Sequence, residues 1–197
     1  MRILKLALFL LVLSHIISSC CKDENEPYGP FKDVFPVEFN FDTITNITPT
    51  HIYTSDGSDK IFSLPEREYE IGVNMNTAKN QVEYIKLLSP DQSEIKGKQR
   101  DGVTEVVLDA KYTLNGDTYT FTKDIFIQVI NYNAVRLIDT MTMKGISCIR
   151  YNAGARKSRS TVVQVTGYTL EDEKANVEAG DTLYYRIFDI KLVKKDK

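Results

Sequence analysis

Histidine is the side chain most often used for acid–base and nucleophilic chemistry near neutral pH, and this chain contains two. His15 lies in an apolar N-terminal segment, so a Ser-His-Asp or Cys-His mechanism would have to use His51. His51 stands at the start of a strand-like run, where a surface or half-buried histidine is the simpler interpretation. Zinc catalysis usually uses two or three histidines. The sequence therefore predicts no catalytic histidine and no metal site.

Carboxylates are the next group able to carry out chemistry. The 27 Asp and Glu residues could supply the paired acids of a glycosidase, but they fall in polar turns or on the polar faces of strands. Asp56-Gly57-Ser58-Asp59 could offer oxygen ligands to calcium, although a plain turn accounts for the same four residues. We therefore predict a protein that is not an enzyme, with no catalytic residues and no cofactor; a hydrolase is the less favoured alternative.

Aromatic and basic side chains near the C-terminus form a candidate binding surface. Tyr184 and Tyr185 are adjacent in a strand-like run, so they should face opposite sides, and one should be exposed unless another element covers it. Basic residues around a predicted turn could contact phosphate or acidic sugars, although a solvated turn is the simpler alternative. The candidate surface comprises Tyr184, Tyr185, Arg150, Arg156, Lys157 and Arg159. The absence of tryptophan, a favoured sugar platform, counts against a glycan-binding module.

The N-terminal segment predicts where the protein is located. Arg2 and Lys5 precede the apolar run 6–13, which is too short to span a bilayer and is typical of a secretory signal peptide. The segment ends in Ile17-Ser18-Ser19-Cys20, which resembles a bacterial lipobox: an aliphatic residue, two small residues and a cysteine. The resemblance implies cleavage before Cys20 and lipidation of Cys20. Several acyl chains would anchor the protein stably, whereas one chain holds only marginally.

The residues after Cys20 resemble an export signal. Cys21-Lys22-Asp23-Glu24-Asn25-Glu26 is similar to the lysine-plus-acidic signal of Bacteroidota surface lipoproteins, with a solvated acidic tether as the alternative. The resemblance implies a lipid-anchored outer-membrane protein that is exposed at the cell surface; a periplasmic orientation is the alternative. The predicted organisation is a signal peptide over 1–19, a lipidated flexible tether over 20–36, and a body over 37–197.

Composition limits the partners. The chain has 25 basic and 27 acidic residues, and loss of Arg2 and Lys5 with the signal changes the net charge from −2 to about −4, too balanced to indicate nucleic acid as a partner. Of three cysteines, Cys20 is assigned to lipid. Cys21 and Cys148 could pair, but a small buried core residue is the simpler interpretation of Cys148.

The body has the period of two that is typical of β-strands from residue 37 onward. Asn115-Gly116 predicts a tight hairpin that pairs Tyr112 with Tyr119. We interpret 77–88 as a strand, although its apolar residues also recur at three-residue spacing, and 171–180 as a loop. The pattern predicts an all-β fold, an antiparallel β-sandwich of about ten strands without helices. Two packed β subdomains, divided near 131–133, are the alternative.

One part of the body resembles a known class of module. Residues 82–130 contain Ser89-Pro90-Asp91, Asp101-Gly102 and Asn115-Gly116, turn signals placed as in the immunoglobulin-like modules of Bacteroidota surface lipoproteins. The resemblance implies an immunoglobulin-like sandwich. Together these observations predict a non-catalytic binding or accessory module at the cell surface, with a glycan or a protein as partner. A structural subunit of an envelope or fimbria-like complex is the alternative.

Overall fold

The computed structural model describes residues 29–62, 71–98, 102–125, 128–152, 155–163 and 169–196. Pro36–Lys197 forms one compact unit, and the described residues before it, 29–35, belong to a separate one. None of the helices in these ranges has the length and apolar character needed to cross a membrane. The elements, in chain order, are β1 (Val37–Thr45), β2 (His51–Thr54), β3 (Asp59–Ile61), α1 (Met75–Gln81), β4 (Tyr84–Leu87), β5 (Gln92–Lys98), β6 (Glu105–Asn115), β7 (Thr118–Ile125), β8 (Gln128–Leu137), β9 (Thr140–Asn152), β10 (Ala155–Val163), α2 (Leu170–Ala175) and β11 (Asp181–Lys194).

Eight of these strands close into an antiparallel barrel. Around the ring the order is β1-β4-β5-β6-β7-β8-β9-β11, and β11 returns to β1. The longest seam joins β9 to β11 through pairs that run from Asp181↔Asn152 to Val193↔Thr140. The sheet has two extensions beyond the ring: β10 pairs with the second half of β9, and the β2–β3 hairpin pairs with the first residues of β11.

The predicted immunoglobulin-like β-sandwich is therefore wrong, although the all-β class is right. Period-two alternation shows that each strand buries one face, but sandwiches and barrels both require this. What distinguishes them is whether the sheet closes on itself into a ring. Here the β9–β11 seam closes the ring. Residues 131–133, where a boundary between two subdomains was considered, lie inside β8.

Side chains fill the interior of the barrel, as expected for eight strands. Phe121 stacks on Tyr132 with ring centroids 5.0 Å apart, and Tyr119 and Tyr112 continue this aromatic core. Each large apolar side chain buried in this way contributes about 1.5–3 kcal/mol. The buried apolar residues of the eight strands include Phe39, Ile85, Leu87, Ile95, Phe121, Met141, Met143, Phe188, Ile190 and Leu192.

The β6–β7 hairpin is confirmed, but its register differs from the prediction by two residues. Tyr112 pairs with Phe121 rather than Tyr119, and Asn115 pairs with Thr118. The loop therefore consists of Gly116 and Asp117, with a positive φ of 62° at Gly116 alone. A positive φ at the first central position is the requirement of a type II′ turn, which glycine satisfies. Because the shift is an even number, the buried and exposed faces stay as predicted.

The strand expected over 77–88 is wrong for its first residues, which belong to helix α1, and right for Tyr84–Leu87, which form β4. The Asn74 side chain accepts a 3.0 Å hydrogen bond from the Thr77 N–H and so starts the helix. The segment begins at Gly72, whose carbonyl accepts a bond from Ser147 of β9, and ends with Gln81 against β5. Because β9 and β5 are on opposite sides of the ring, this segment covers one end of the barrel.

Helix α2 lies where we expected a loop over 171–180. Thr169 and Asp172 form a reciprocal capping box, which satisfies backbone N–H groups at the start of this short helix and so stabilises it. Glu173 is buried and accepts a 3.3 Å bond from the Cys148 thiol. Cys148 is buried in an apolar cluster of β9 and β11, as the sequence predicted. The helix therefore covers one face of the extended sheet.

Candidate functional site

The two adjacent tyrosines of β11 lie on opposite faces of the extended sheet. Tyr185 is 3% exposed and belongs to the cluster beneath α2. Tyr184 is half-buried on the other face. Of the two candidate tyrosines, only Tyr184 is placed where it can contribute to a binding surface.

Three aromatic rings from three strand segments meet around Tyr184, and we call them the aromatic face: Phe62, Tyr151 and Tyr184. Phe62 follows β3 and meets the Tyr184 ring edge-on at 5.4 Å and 78°. Tyr151, on β9, meets it at 5.7 Å and 89°. All three side chains are half-buried, so each retains some contact with solvent. Edge-to-face packing is a favourable geometry for aromatic pairs and holds Tyr184 in place.

The four basic candidate residues lie on two different strands, Arg150 on β9 and the other three on β10. Arg150 donates from Nη1 to the Asn176 carbonyl just after α2, and its Nε lies 3.9 Å from the Asp181 carboxylate. Its guanidinium therefore supports the loop that follows α2. The side chains of Arg156, Lys157 and Arg159 lie outside the described residues, but their backbone belongs to β10. The backbone of Arg156 pairs with that of Tyr151 in the β9–β10 register.

The opposite face carries a polar cluster around Asp59, which we call the Asp59 cluster: His51, Asp59, Lys174 and Tyr185. The Tyr185 hydroxyl lies 2.7 and 2.9 Å from the two carboxylate oxygens of Asp59. Lys174 Nζ, from α2, donates to Asp59 at 2.9 Å. His51 Nδ1 is 3.4 Å from Asp59, and its ring stacks on Tyr185 at 5.0 Å. The cluster joins β2, β3, β11 and α2.

The pKa values of the Asp59 cluster reflect this pairing. Burial alone would raise the pKa of Asp59, but hydrogen bonds from Lys174 and Tyr185 outweigh it and hold the pKa below its ordinary 3.8. Burial would lower the pKa of Lys174, but the bond to Asp59 and its charge hold it above 10.5. Burial raises the pKa of Tyr185, and the bond to Asp59 raises it further. The cluster is thus most stable with Asp59 and Lys174 charged and Tyr185 neutral.

Acid is expected to loosen the contact between α2 and the β2–β3 hairpin. Because the folded pKa of Asp59 is lowered, its stabilisation is complete above pH 3.8 and is lost as the pH falls through the folded value. Lys174, with its raised pKa, loses its contribution only as the pH rises beyond 10.5. Amide chemical shifts of the hairpin, followed between pH 6 and pH 2, would show this local transition below pH 3.8.

The variant Asp59→Asn serves as the control for this acid transition. It removes the titrating carboxylate but keeps the size of the side chain, and we expect it to lower the free energy of unfolding by about 1 kcal/mol because the pair is partly exposed. The local transition should vanish in this variant. An unchanged transition would mean that another carboxylate controls the hairpin.

The segment 56–59, a possible calcium site by sequence, lies in a turn that is closed by hydrogen bonds between its own residues. Asp56 accepts bonds from the Thr54 hydroxyl at 2.6 Å and from the Ser58 N–H at 3.0 Å, while Asp59 is directed to its cluster. These bonds lower the pKa of Asp56. Among the described residues, no group of three or more His, Cys, Asp or Glu side chains is arranged to hold a metal ion.

A cleft of about 420 Å³ lies along β5, β6 and β7. Lys123 lines it on the same strand as the core residues Tyr119 and Phe121, and burial lowers the pKa of its amine. Asp109 partly opposes this shift through its charge. The other lining residues are Leu88, Gln92, Ser93, Ala110, Lys111 and Thr122. The cleft is within the usual size range of small-ligand pockets.

Sequence reasoning identified Tyr184 but not the residues that surround it. Phe62 and Tyr151 are 89 positions apart and reach Tyr184 only because β2, β9 and β11 are neighbours. No spacing along the chain would have shown this. Cys20, the predicted lipidation site, lies outside the described residues. Comparisons with protein-family models, with curated proteins and with solved structures give no match.

Proposed function

We propose that this chain is a non-catalytic, lipid-anchored envelope protein whose barrel acts as a binding module at the cell surface, with a glycan as its ligand. The observation that carries the proposal is the aromatic face, in which Phe62 and Tyr151 hold Tyr184 from the side. A sugar ring has an apolar face of C–H groups that packs against the negative face of an aromatic ring. A cluster of three half-exposed rings suits such contact better than a single exposed side chain.

The position of β10 favours an acidic sugar. β10 contains Arg156, Lys157 and Arg159, and its backbone pairs with the part of β9 that carries Tyr151, so this strand is rich in groups that attract carboxylates. Arginine recognises carboxylates through two parallel hydrogen bonds, which lysine cannot make. A polysaccharide that contains uronic or sialic acids is therefore the preferred ligand class.

The lipobox-like segment supports the anchored part of the proposal. Ile17-Ser18-Ser19-Cys20 supplies the residue types of the motif at the end of a short apolar run. The following acidic segment, 21–26, supports export to the outer surface of the outer membrane. The protein would then be held at the membrane by its acyl chains, with the barrel in the extracellular medium.

Tyr184→Ala is expected to weaken glycan binding by about tenfold, because one stacking contact contributes about 1–1.5 kcal/mol. Isothermal titration of the full mature chain against a panel of neutral and acidic polysaccharides would measure this. Tyr184→Phe keeps the ring and should bind within about threefold of the natural chain.

Two outcomes would contradict the glycan proposal. One is the absence of binding by the natural chain across the whole panel. The other is equal affinity of Tyr184→Ala and the natural chain, with the thermal midpoint of unfolding unchanged between them. The second outcome would place any binding elsewhere on the barrel.

A structural subunit of an envelope complex is the second candidate. In the described chain, β3 and β10 stand at the two ends of the sheet order, each hydrogen-bonded to one neighbouring strand. Such edges can pair with a strand from another chain. Co-purification of a stable partner after mild detergent extraction would favour this candidate over the glycan-binding module.

A further inference from the structure

The turn between β8 and β9 exposes a group of apolar side chains. Of the nine large apolar residues that are exposed in the described chain, three lie within four positions here. Val135 is 41% exposed, Leu137 66% and Ile138 75%. We call Leu137 and Ile138 the apolar tip. Exposure of large apolar side chains to water is energetically unfavourable, and exposed apolar side chains that cluster together mark contact sites.

The backbone of the apolar tip is held in an unfavourable conformation. Ile138 has a φ of +48°, in the left-handed region that β-branched residues rarely adopt. Its carbonyl accepts a 2.9 Å bond from Arg136 Nε, which fixes the turn to the buried interior. Asparagine or glycine would adopt this φ more easily. An isoleucine here is therefore unfavourable for folding, and such residues are found where a contact requires them.

The apolar tip lies at the end of the barrel where β1 begins. β11 ends at Lys194, whose N–H donates to the Asp139 carbonyl in the same turn at 2.8 Å. β1 begins at Val37, and its residue Phe39 pairs with Lys194. The apolar tip, the start of β1 and the end of β11 thus share one end of the barrel. About 16 residues separate Cys20 from Val37, and they reach at most about 60 Å when fully extended.

Two carboxylates near the apolar tip, those of Asp139 and Glu38, are paired with lysines. Lys194 Nζ lies 3.9 Å from the Asp139 carboxylate, and Lys195 Nζ lies 3.0 Å from that of Glu38. These two carboxylates are therefore neutralised locally and would not repel an anionic lipid surface, and both lysines could also contact lipid phosphates.

We propose that Leu137 and Ile138 dock into the headgroup–acyl boundary of the bilayer that anchors Cys20, and so hold the barrel with this end toward the membrane. The proposal rests on the lipid anchor of the proposed function. Two apolar side chains are too few to bind a membrane alone, but beside several acyl chains they suffice to orient a tethered body. The barrel end covered by α1, with the β2–β3 hairpin and the aromatic face, would then point away from the membrane.

Depth-dependent quenching would test the orientation. The lipidated full-length mature chain with Cys21→Ser is placed in vesicles of phosphatidylethanolamine and phosphatidylglycerol, and an environment-sensitive fluorophore is attached at Ile138→Cys. The matched control is Ser55→Cys, in the exposed turn between β2 and β3 at the opposite end. We expect spin-labelled lipids to quench the Ile138 probe about twofold or more and the Ser55 probe hardly at all.

Hydrogen exchange of the natural chain provides a second measurement, since Ile138→Cys alters the turn itself. Exchange at residues 137–139 should slow by about tenfold or more in vesicles relative to detergent if the apolar tip meets lipid. Vesicle flotation reports separately on the anchor. The docking is supported if the protein floats with the vesicles and the probe at position 138 is quenched while the probe at position 55 is not. Flotation without quenching or slowed exchange overturns the docking and leaves the anchor intact.

Two other outcomes would also overturn the docking. If the natural chain fails to float, the anchor and the docking both fall. If exchange at 137–139 slows with protein concentration in the absence of lipid, the apolar tip contacts a second copy of the chain instead.

Discussion

Gly145→Ala is expected to lower the free energy of unfolding by about 3 kcal/mol and to loosen the seam that closes the barrel. Gly145 of β9 pairs directly with Phe188 of β11. A Cβ at position 145 would lie 2.3 Å from Phe188 Cε2 and 2.4 Å from Cζ. Phe188 is fully buried among the barrel side chains, so its ring cannot move aside without displacing others. Urea unfolding of the full chain, followed by circular dichroism, would measure the loss.

A double-mutant cycle separates this clash from any other effect of alanine. Phe188→Leu makes room beside position 145, so Gly145→Ala should cost at least about 1 kcal/mol less in that background. Thr142→Ala, on the other face of the same strand, is the matched control and should cost no more than about 0.5 kcal/mol. A cost of Gly145→Ala as small as that of the control would contradict the close packing of β9 on β11.

Arg136→Ala is expected to lower the free energy of unfolding by about 3–4 kcal/mol. Arg136 is 1% exposed inside the barrel. Its Nη1 donates to the Tyr119 hydroxyl at 3.0 Å and its Nε to the Ile138 carbonyl at 2.9 Å, while the guanidinium lies 4.9 Å from the centre of the Phe39 ring. Alanine removes these bonds and also leaves a cavity between β8 and β1. Chemical unfolding monitored by tyrosine fluorescence would measure the change.

Arg136→Met distinguishes the packing role of the side chain from its polar role. Methionine keeps an apolar stem of similar length against Phe39 but cannot donate to Tyr119 or Ile138. We expect a loss of about 1–2 kcal/mol, between the natural chain and Arg136→Ala. Equal losses in the two variants would assign the whole effect to hydrogen bonding. A loss below about 1 kcal/mol in Arg136→Ala would show that the barrel end tolerates the cavity.

The two faces of the extended sheet have separate roles in our proposals. On one face, α2 and the Asp59 cluster hold the β2–β3 hairpin against β11. That hairpin leads directly to Phe62, which supports Tyr184 on the other face. A loss of the Asp59–Lys174 contact would therefore disturb the aromatic face indirectly. Asp59→Asn should accordingly weaken glycan binding less than Tyr184→Ala does, since it moves a supporting ring without removing the central one.

Local patterns in the sequence were sufficient to predict the all-β class, the buried face of the strands and the β6–β7 hairpin. The alternation at Val37, Phe39 and Phe41 marks a strand with one apolar face, and β1 forms there. Asn115-Gly116 marks a turn, and β6 and β7 meet at it. The opposite orientation of Tyr184 and Tyr185 also followed from their adjacency in a strand. Each of these features depends on neighbours only a few residues away.

Helix α1 and the hairpin register show where local patterns failed. Over 77–88 the types of Val82, Tyr84 and Ile85 favour strand, but the cap at Asn74 and burial of Ala78 and Val82 at the end of the barrel stabilise a helix before β4 begins. In the hairpin, glycine at the first central position of a type II′ turn moved the loop by one residue. In both places, packing and turn geometry decided between alternatives that the sequence left close in energy.

The sequence by itself determined that most of the chain consists of β-strands with one apolar face, because a period of two is a property of the strand alone. It also supplied the lipobox-like segment on which the predicted anchor depends. Only the tertiary structure decided that the strands form a barrel, because closure depends on pairing residues 140–152 with 181–193. The same pairing brings Tyr151 to Tyr184, and α2 brings Lys174 to Asp59, 115 positions away. Such contacts depend on how whole strands are ordered around a ring, which no local period encodes.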